Sequence, residues 1–225
     1  MTKEYNSFKK DKFCVIKKAI SSDLANFCYN YFMIQKQVYD TCMQHRYISP
    51  FETMLGIYES ENEQIPNTYS QYSNIAFETL MLKLQPLMEK TTGLKLIPNY
   101  TYARIYKFGD ELKRHKDRFS CEVSTTLNLG GDKWPIFIEP NPKKGKVIDG
   151  VYTSDNTSGV CVDLDPGDML VYRGDKLEHW REKFTKENCV QVFLHYNNSK
   201  TDGSKENMFD RRPHIGLPSW FKDKR

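Results

Sequence analysis

Two spacings of apolar residues divide the chain. Near the start, Phe13-Cys14-Val15-Ile16 is a short apolar run of strand length. Ser21, Ser22 and Asp23 follow, and their side-chain oxygens can accept from the N–H groups of a first helical turn. Behind that cap Leu24, Phe27, Tyr31, Ile34, Val38 and Cys42 recur every three or four residues. This predicts an amphipathic helix over about 22–43. Residues 60–73 are polar and read as a loop. A second helix is expected over 75–90, with Phe77, Leu80, Met81, Leu84 and Leu87 on one side and Gly93 as its stop.

After Gly93 the period shortens to two. In the segment 100–108, Tyr102, Arg104 and Tyr106 share one face and Ala103, Ile105 and Lys107 the other. Further strands are expected at 122–129, 135–139, 160–164, 168–172 and 189–196. Gly130-Gly131, the stretch 141–159, Pro166-Gly167 and Gly174-Asp175 separate them as turns. Helices followed by seven or eight short strands predict a mainly β protein with N-terminal supporting helices (α+β), its strands forming a two-sheet β-sandwich or jelly roll. No linker interrupts the pattern, so 1–225 reads as one domain: 1–93 helical support, 94–198 β core, 199–225 tail. Apolar side chains in 213–221 are expected to dock the tail.

Composition changes this picture little. The 225 residues are 39% hydrophobic and 28% charged, enough to bury a core without disulfides. Aromatics reach 13%, which favours strands and stacked pockets. A net charge of +4 falls well short of a dedicated nucleic-acid surface. The six Cys form no C-x-x-C pair and are expected as reduced thiols, Cys28 and Cys42 in the core. No apolar run is long enough to span a bilayer, and the polar first residues do not resemble a secretory signal, so a cytoplasmic location is expected.

The informative chemistry lies at His115, Asp117 and His179. In an extended segment, the H-x-D spacing of His115 and Asp117 puts imidazole and carboxylate on one side of the backbone. A second imidazole from a distant strand completes a three-ligand face. Two His and one carboxylate leave the opposite side of an ion open, as in non-haem Fe(II) oxygenases. An H-x-D alone is a weak signal; its place after a strand strengthens it.

The stretch Tyr102-Ala-Arg-Ile-Tyr106-Lys-Phe-Gly109-Asp-Glu-Leu-Lys-Arg-His115-Lys-Asp117 resembles the core of the 2-oxoglutarate- and Fe(II)-dependent oxygenases, most closely the prolyl 4-hydroxylase-like branch. The order of parts continues as in that family through strands, loop, Pro166-Gly167-Asp168, His179 and a last strand, over residues 95–198. The resemblance implies a double-stranded β-helix, a cupin-like jelly roll. It also implies Fe(II) held by His115, Asp117 and His179, with 2-oxoglutarate and dioxygen as cosubstrates and ascorbate as reductant. The reaction implied is hydroxylation of a C–H bond with release of succinate and carbon dioxide. An Asp at position 117, rather than a small residue, implies hydroxylation and not halogenation.

The family commonly binds the far carboxylate of 2-oxoglutarate with a cation nine or ten positions after the distal His. Here Asn188 and Cys189 stand there, a departure. A buried carboxylate still needs a partner. Arg181 is the first choice, two residues past His179 and on the same strand face. Arg104 is the second, with a structural ion pair or a substrate contact expected for it at least as much; an ion pair of Arg181 with Glu178 or Glu182 is the structural alternative there. Tyr106 matches the family tyrosine at that carboxylate. Asn128 and Gln191 are further cosubstrate candidates. Tyr102 and Arg118 are candidates for the substrate side, and His195 reads as a core histidine. Lys116 and Arg114 complete a basic rim, and the polar loop 142–159, with Asp149 and Asp155, has the length of a lid. The expected substrate is a prolyl or other protein side chain, with free amino acids and small metabolites also open. A nucleic-acid base is not favoured. A cupin-like metal-binding protein without turnover is the competing class.

Overall fold

The computed structural model describes residues 2–62, 64–148 and 151–224, so Asp149 lies outside the described residues. The N-terminal part contains helices α1 (Lys3–Asp11), α2 (Ser22–Gln44) and α3 (Ile75–Thr92) and strands β1 (Phe13–Ile16), β2 (Ile57–Tyr58) and β3 (Tyr69–Tyr72). The rest is strand-rich. β4 (Leu96–Lys107), β5 (Leu112–His115), β6 (Val123–Gly131) and β7 (Ile136–Ile138) come first. β8 (Lys146–Ile148), β9 (Val151–Thr153), β10 (Val160–Val162), β11 (Met169–Tyr172), β12 (His179–Arg181) and β13 (Asn188–Asn198) follow.

Two antiparallel sheets form the jelly roll. The larger runs β1-β11-β6-β13-β4-β3-β2 and the smaller β10-β7-β12-β5. Strand alternation sorts the side chains of the larger sheet. Ala103, Ile105, Leu127, Val190, Val192 and Leu194 face the helices and join Phe32, Phe77, Met81 and Leu84 in the main core. Burying each such large apolar side chain contributes roughly 1.5–3 kcal/mol. The opposite face, with Tyr102, Arg104 and Tyr106 on β4 and Gln191 and His195 on β13, looks into the space between the sheets. Apolar clusters around Leu170, Ile138 and Leu177 and around Tyr106, Trp134 and Phe184 close that space.

Several expectations need correction. Residues 3–11, read only as polar, form α1: Thr2 caps it by accepting from the Tyr5 N–H at 3.2 Å, and Phe8 is its buried anchor. The expected loop 60–73 contains β3. Its sequence Tyr69-Ser70-Gln71-Tyr72 lacks apolar alternation because amides, not aliphatic chains, tie it down. Asn74 Nδ2 donates to Gln35 Oε1 at 2.9 Å and to Gln71 Oε1 at 2.7 Å, beneath α2. On α2 itself the apolar arc is wider than the core it meets. Phe32 and Tyr39 pack on Tyr69, while Phe27, Ile34 and Val38 remain 65%, 58% and 45% exposed.

The stretch 142–159 is no featureless loop, since β8 and β9 pair as a hairpin within it. The tail docks, chiefly through charge. Buried Arg212 donates to Glu78 Oε1 at 2.7 Å and to Asn99 O at 2.9 Å, whereas Trp220 stays half exposed. Among the described residues no helix is long and apolar enough to cross a membrane.

Candidate metal centre

Strand pairing brings the three donors together. His115 ends β5 and His179 begins β12, and the two are direct partners across the antiparallel pair. Directly opposed residues project to the same side of a sheet, and the imidazole centroids lie 4.2 Å apart. Two residues on, the Asp117 N–H donates to Gly174 O at 2.8 Å, which seats the loop against the turn after β11. Nε2 of His115 and Nε2 of His179 each lie 3.5 Å from Asp117 Oδ1. All three donor atoms fall within 4.8 Å of one another.

The surroundings set the orientation of each donor. His115 Nδ1 faces Lys113 O at 2.7 Å and His179 Nδ1 faces Leu177 O at 3.0 Å. An N–H on each Nδ1 donates to those carbonyls and leaves both Nε2 lone pairs turned to the common point. The Ser124 hydroxyl donates to Asp117 Oδ2 at 3.0 Å, so Oδ1 is the free oxygen. Loss of water contact would raise the Asp117 carboxyl, but the facing imidazoles hold it well below its ordinary value. Burial works to lower His179, yet Asp117 and the Leu177 carbonyl raise it. An ion about 2.1 Å from each ligand sets neighbouring donors about 3 Å apart. Two imidazole nitrogens and one carboxylate oxygen, converging at nearly that spacing from one side, fit a divalent transition metal with open positions.

The donors open onto a cavity of about 450 Å³ between the sheets. Tyr100, Tyr102, Tyr106, Phe193 and His195 give it an aromatic wall, and Glu59, Asn62 and Gln64 form part of its lining before β3. Beside Asp117 lies a second donor group that sequence reasoning missed, Cys121 with His195. The Tyr100 hydroxyl is 3.0 Å from Cys121 Sγ, and His195 Nδ1 is 2.9 Å from Ser124 Oγ. Burial pushes His195 down to about 4, so it is neutral near pH 7. Tyr100 shares the alternation of Tyr102 and could have been found that way; Cys121 sits in a short turn (Phe119–Cys121) and had no such signal.

The remaining candidates separate by depth. Arg181 is 1% exposed, its guanidinium donating to Trp134 O and, at 3.4 Å, to Thr126 Oγ1, with its Cζ 5.0 Å from the centroid of the Trp134 ring. Its Nε has no partner, and among the described residues no carboxylate pairs with it. Glu178 pairs with Arg114 instead, at 3.4 Å, and Glu182 accepts from Trp180 Nε1 at 2.9 Å. Arg104 lines the cavity at 4% exposure; Nη2 donates to the Tyr102 hydroxyl at 3.0 Å and Nε has no partner. Tyr106 is buried on the same wall.

Asn128 and Gln191 bond each other, Gln191 Nε2 donating to Asn128 Oδ1 at 3.2 Å. Asn128 also donates to Leu164 O at 2.7 Å, and Gln191 accepts from Thr126 Oγ1 at 3.0 Å. Arg118 reaches the cavity edge, but its fork grips Asp210 with two bonds of 2.8 Å. The hairpin β8–β9 is fastened to the metal strand. Lys116 Nζ donates to Pro142 O and Gly145 O, both at 3.0 Å, and Arg114 donates to Thr157 O at 2.8 Å.

No family model and no curated protein matches the sequence. Solved structures do match its fold. The epimerase SnoN, in complex with Fe3+, alpha ketoglutarate and nogalamycin RO, superposes with a TM-score of 0.64 at 12% identity over 95% of this chain and 90% of that one. HygX from Streptomyces hygroscopicus, with nickel and 2-oxoglutarate bound, gives 0.57 at 13% identity over 89% and 88%. A prolyl-4-hydroxylase from Pseudomonas putida gives 0.52 at 13% identity over 87% of this chain and 97% of its own. Sheet order, strand pairing and these superpositions agree: the chain has the double-stranded β-helix fold of the 2-oxoglutarate- and Fe(II)-dependent oxygenases.

Proposed function

We propose that this chain is a 2-oxoglutarate- and Fe(II)-dependent oxygenase that hydroxylates a C–H bond of a small molecule or a protein side chain. The observation that carries the reading is the convergence of His115 Nε2, His179 Nε2 and Asp117 Oδ1 on one point at the cavity wall. Iron with 2-oxoglutarate would supply dioxygen activation coupled to decarboxylation, giving succinate and carbon dioxide. The protein supplies the rest. His115, His179 and Asp117 hold the metal on one side, and the backbone carbonyls of Lys113 and Leu177 keep both rings turned toward it. Arg181 is the counter-charge for the far carboxylate of the cosubstrate, which supports the reading because its own guanidinium lacks one. The aromatic wall of Tyr100, Tyr102 and Phe193 restricts water beside the reacting carbon.

The test is succinate release by the purified protein with Fe(II), 2-oxoglutarate and ascorbate. Asp117→Ala should abolish it and leave the circular dichroism spectrum unchanged. Chelators should stop turnover, and Fe(II) but not Zn(II) should restore it. Metal binding without consumption of 2-oxoglutarate would instead favour a cupin-like protein that holds a metal and does no chemistry.

A further inference from the structure

We propose that Arg104 is the receptor for a substrate carboxylate, so that this chain acts on a small carboxylic acid held by its acid group. The inference rests on the oxygenase reading and names its substrate class.

It starts from two guanidinium groups between the sheets. Arg104 and Arg181 are 4% and 1% exposed, each has an Nε without a partner, and neither pairs with a carboxylate among the described residues. A buried cation with no counter-charge is strongly unfavourable, so each position implies an anion brought by a ligand. The cosubstrate can satisfy only one of them. Its C1 carboxylate goes to the metal, leaving a single far carboxylate. With a divalent metal, the Asp117 carboxylate, the 2-oxoglutarate dianion and Arg181, the formal charges cancel. Arg104 is left over, with the Glu59 carboxylate near enough to act on it but not paired with it.

The two sites differ in access. Arg181 lies deep, against Trp134 and Thr126. Arg104 is on the cavity wall with the metal ligands. One edge of its fork is fixed: Nη2 donates to the Tyr102 hydroxyl at 3.0 Å, and that hydroxyl donates onward to Ser70 Oγ at 2.7 Å. Only Nη2 is so engaged among the described residues, which leaves donors for a carboxylate. The other cationic groups of the wall are occupied. Arg118 is paired with Asp210, and Lys116 is half in solvent with its ammonium on two hairpin carbonyls. Glu59 lines the same cavity and its charge acts on Arg104, but among the described residues it makes no ion pair with it; it accepts from Asn62 Nδ2 at 2.7 Å. It offers a place for a cationic group, so amino acids belong in the screen.

The experiment uses the full chain with Fe(II) under anaerobic conditions. Formation of the 2-oxoglutarate complex is followed by its visible charge-transfer absorbance. The probes are the twenty amino acids and a set of simple aliphatic and aromatic monocarboxylic acids, each beside its amide. At least one acid should perturb the absorbance and stimulate succinate release in air, with its amide about tenfold weaker or worse. Arg104→Met should remove that response, keep the 2-oxoglutarate dissociation constant within about threefold, and leave the acid-free melting temperature unchanged or higher, because it deletes an unpaired charge. Arg104→Lys should keep part of the response. Acids and amides acting alike, or a tenfold loss of 2-oxoglutarate affinity in Arg104→Met, would overturn the assignment. Failure of the wild-type chain to form the 2-oxoglutarate complex at all would take down the oxygenase reading and this inference together.

Discussion

Asp117 shows how much support one candidate ligand receives. Its backbone is tied to Gly174, one oxygen accepts from Ser124, and the other faces both imidazoles. Arg181 is supported differently, by an aromatic face and a carbonyl, with no anion of its own. Arg181→Met should therefore raise the 2-oxoglutarate concentration needed for half-maximal succinate release by tenfold or more; an unchanged requirement would remove it from the site. Asp210 is the clearest titrating residue. Burial would raise it, but Arg118 above all, with Lys222 and Ser120, holds it well below the usual carboxylate range. A carboxylate depressed in the folded state contributes stability above its unfolded value, near pH 4, and that contribution fades as pH falls toward the folded value. Asp210→Asn should lower stability by about 2–3 kcal/mol at pH 7. The gap to wild type, followed by thermal unfolding from pH 7 to pH 3, should narrow on the acid side.

Elements differ in how far their sequences announced them. β4 was legible because its aromatic and aliphatic faces alternate; the H-x-D lies one turn and the short β5 further on. β3 was not, since its anchors are the amides of Gln35, Gln71 and Asn74, which have no period. The helix α2 was found, but the face that meets the core is turned from the one its periodicity suggested: Ala25, Cys28, Phe32 and Tyr39 are buried, while Phe27, Ile34 and Val38 stay exposed. The turn after β11 carries a constraint that turn statistics hide. A Cβ on Gly174 would overlap Asp117 Oδ2 and come within 2.6 Å of Cys121 O and 2.8 Å of Ser124 Oγ. Gly174→Ala should displace the carboxylate and weaken Fe(II) affinity by about 10–100-fold, as loss of a ligand's support does. Metal titration of the folded variant measures it.

At the scale of the molecule, two sheets could be read from the succession of short strands, and the family resemblance narrowed them to a jelly roll. What could not be read was how charge closes the structure at its tail. The apolar residues in 213–221 dock as expected at Ile215, which packs on the main core, and at buried Pro218, but the buried pair of Arg212 and Glu78 beside them had no sequence signal. Arg212→Ala would strand the Glu78 carboxylate, buried and without its cation, and should cost about 3–5 kcal/mol in urea unfolding. The opposition of His115 and His179 across one strand pair has a consequence for the fold itself. An ion shared by the two would act as a clasp between distant stretches of chain, and it could form only when β5 and β12 have slid into correct alignment. Stripping the ion should then quicken amide exchange along the smaller sheet first, well before the helices loosen.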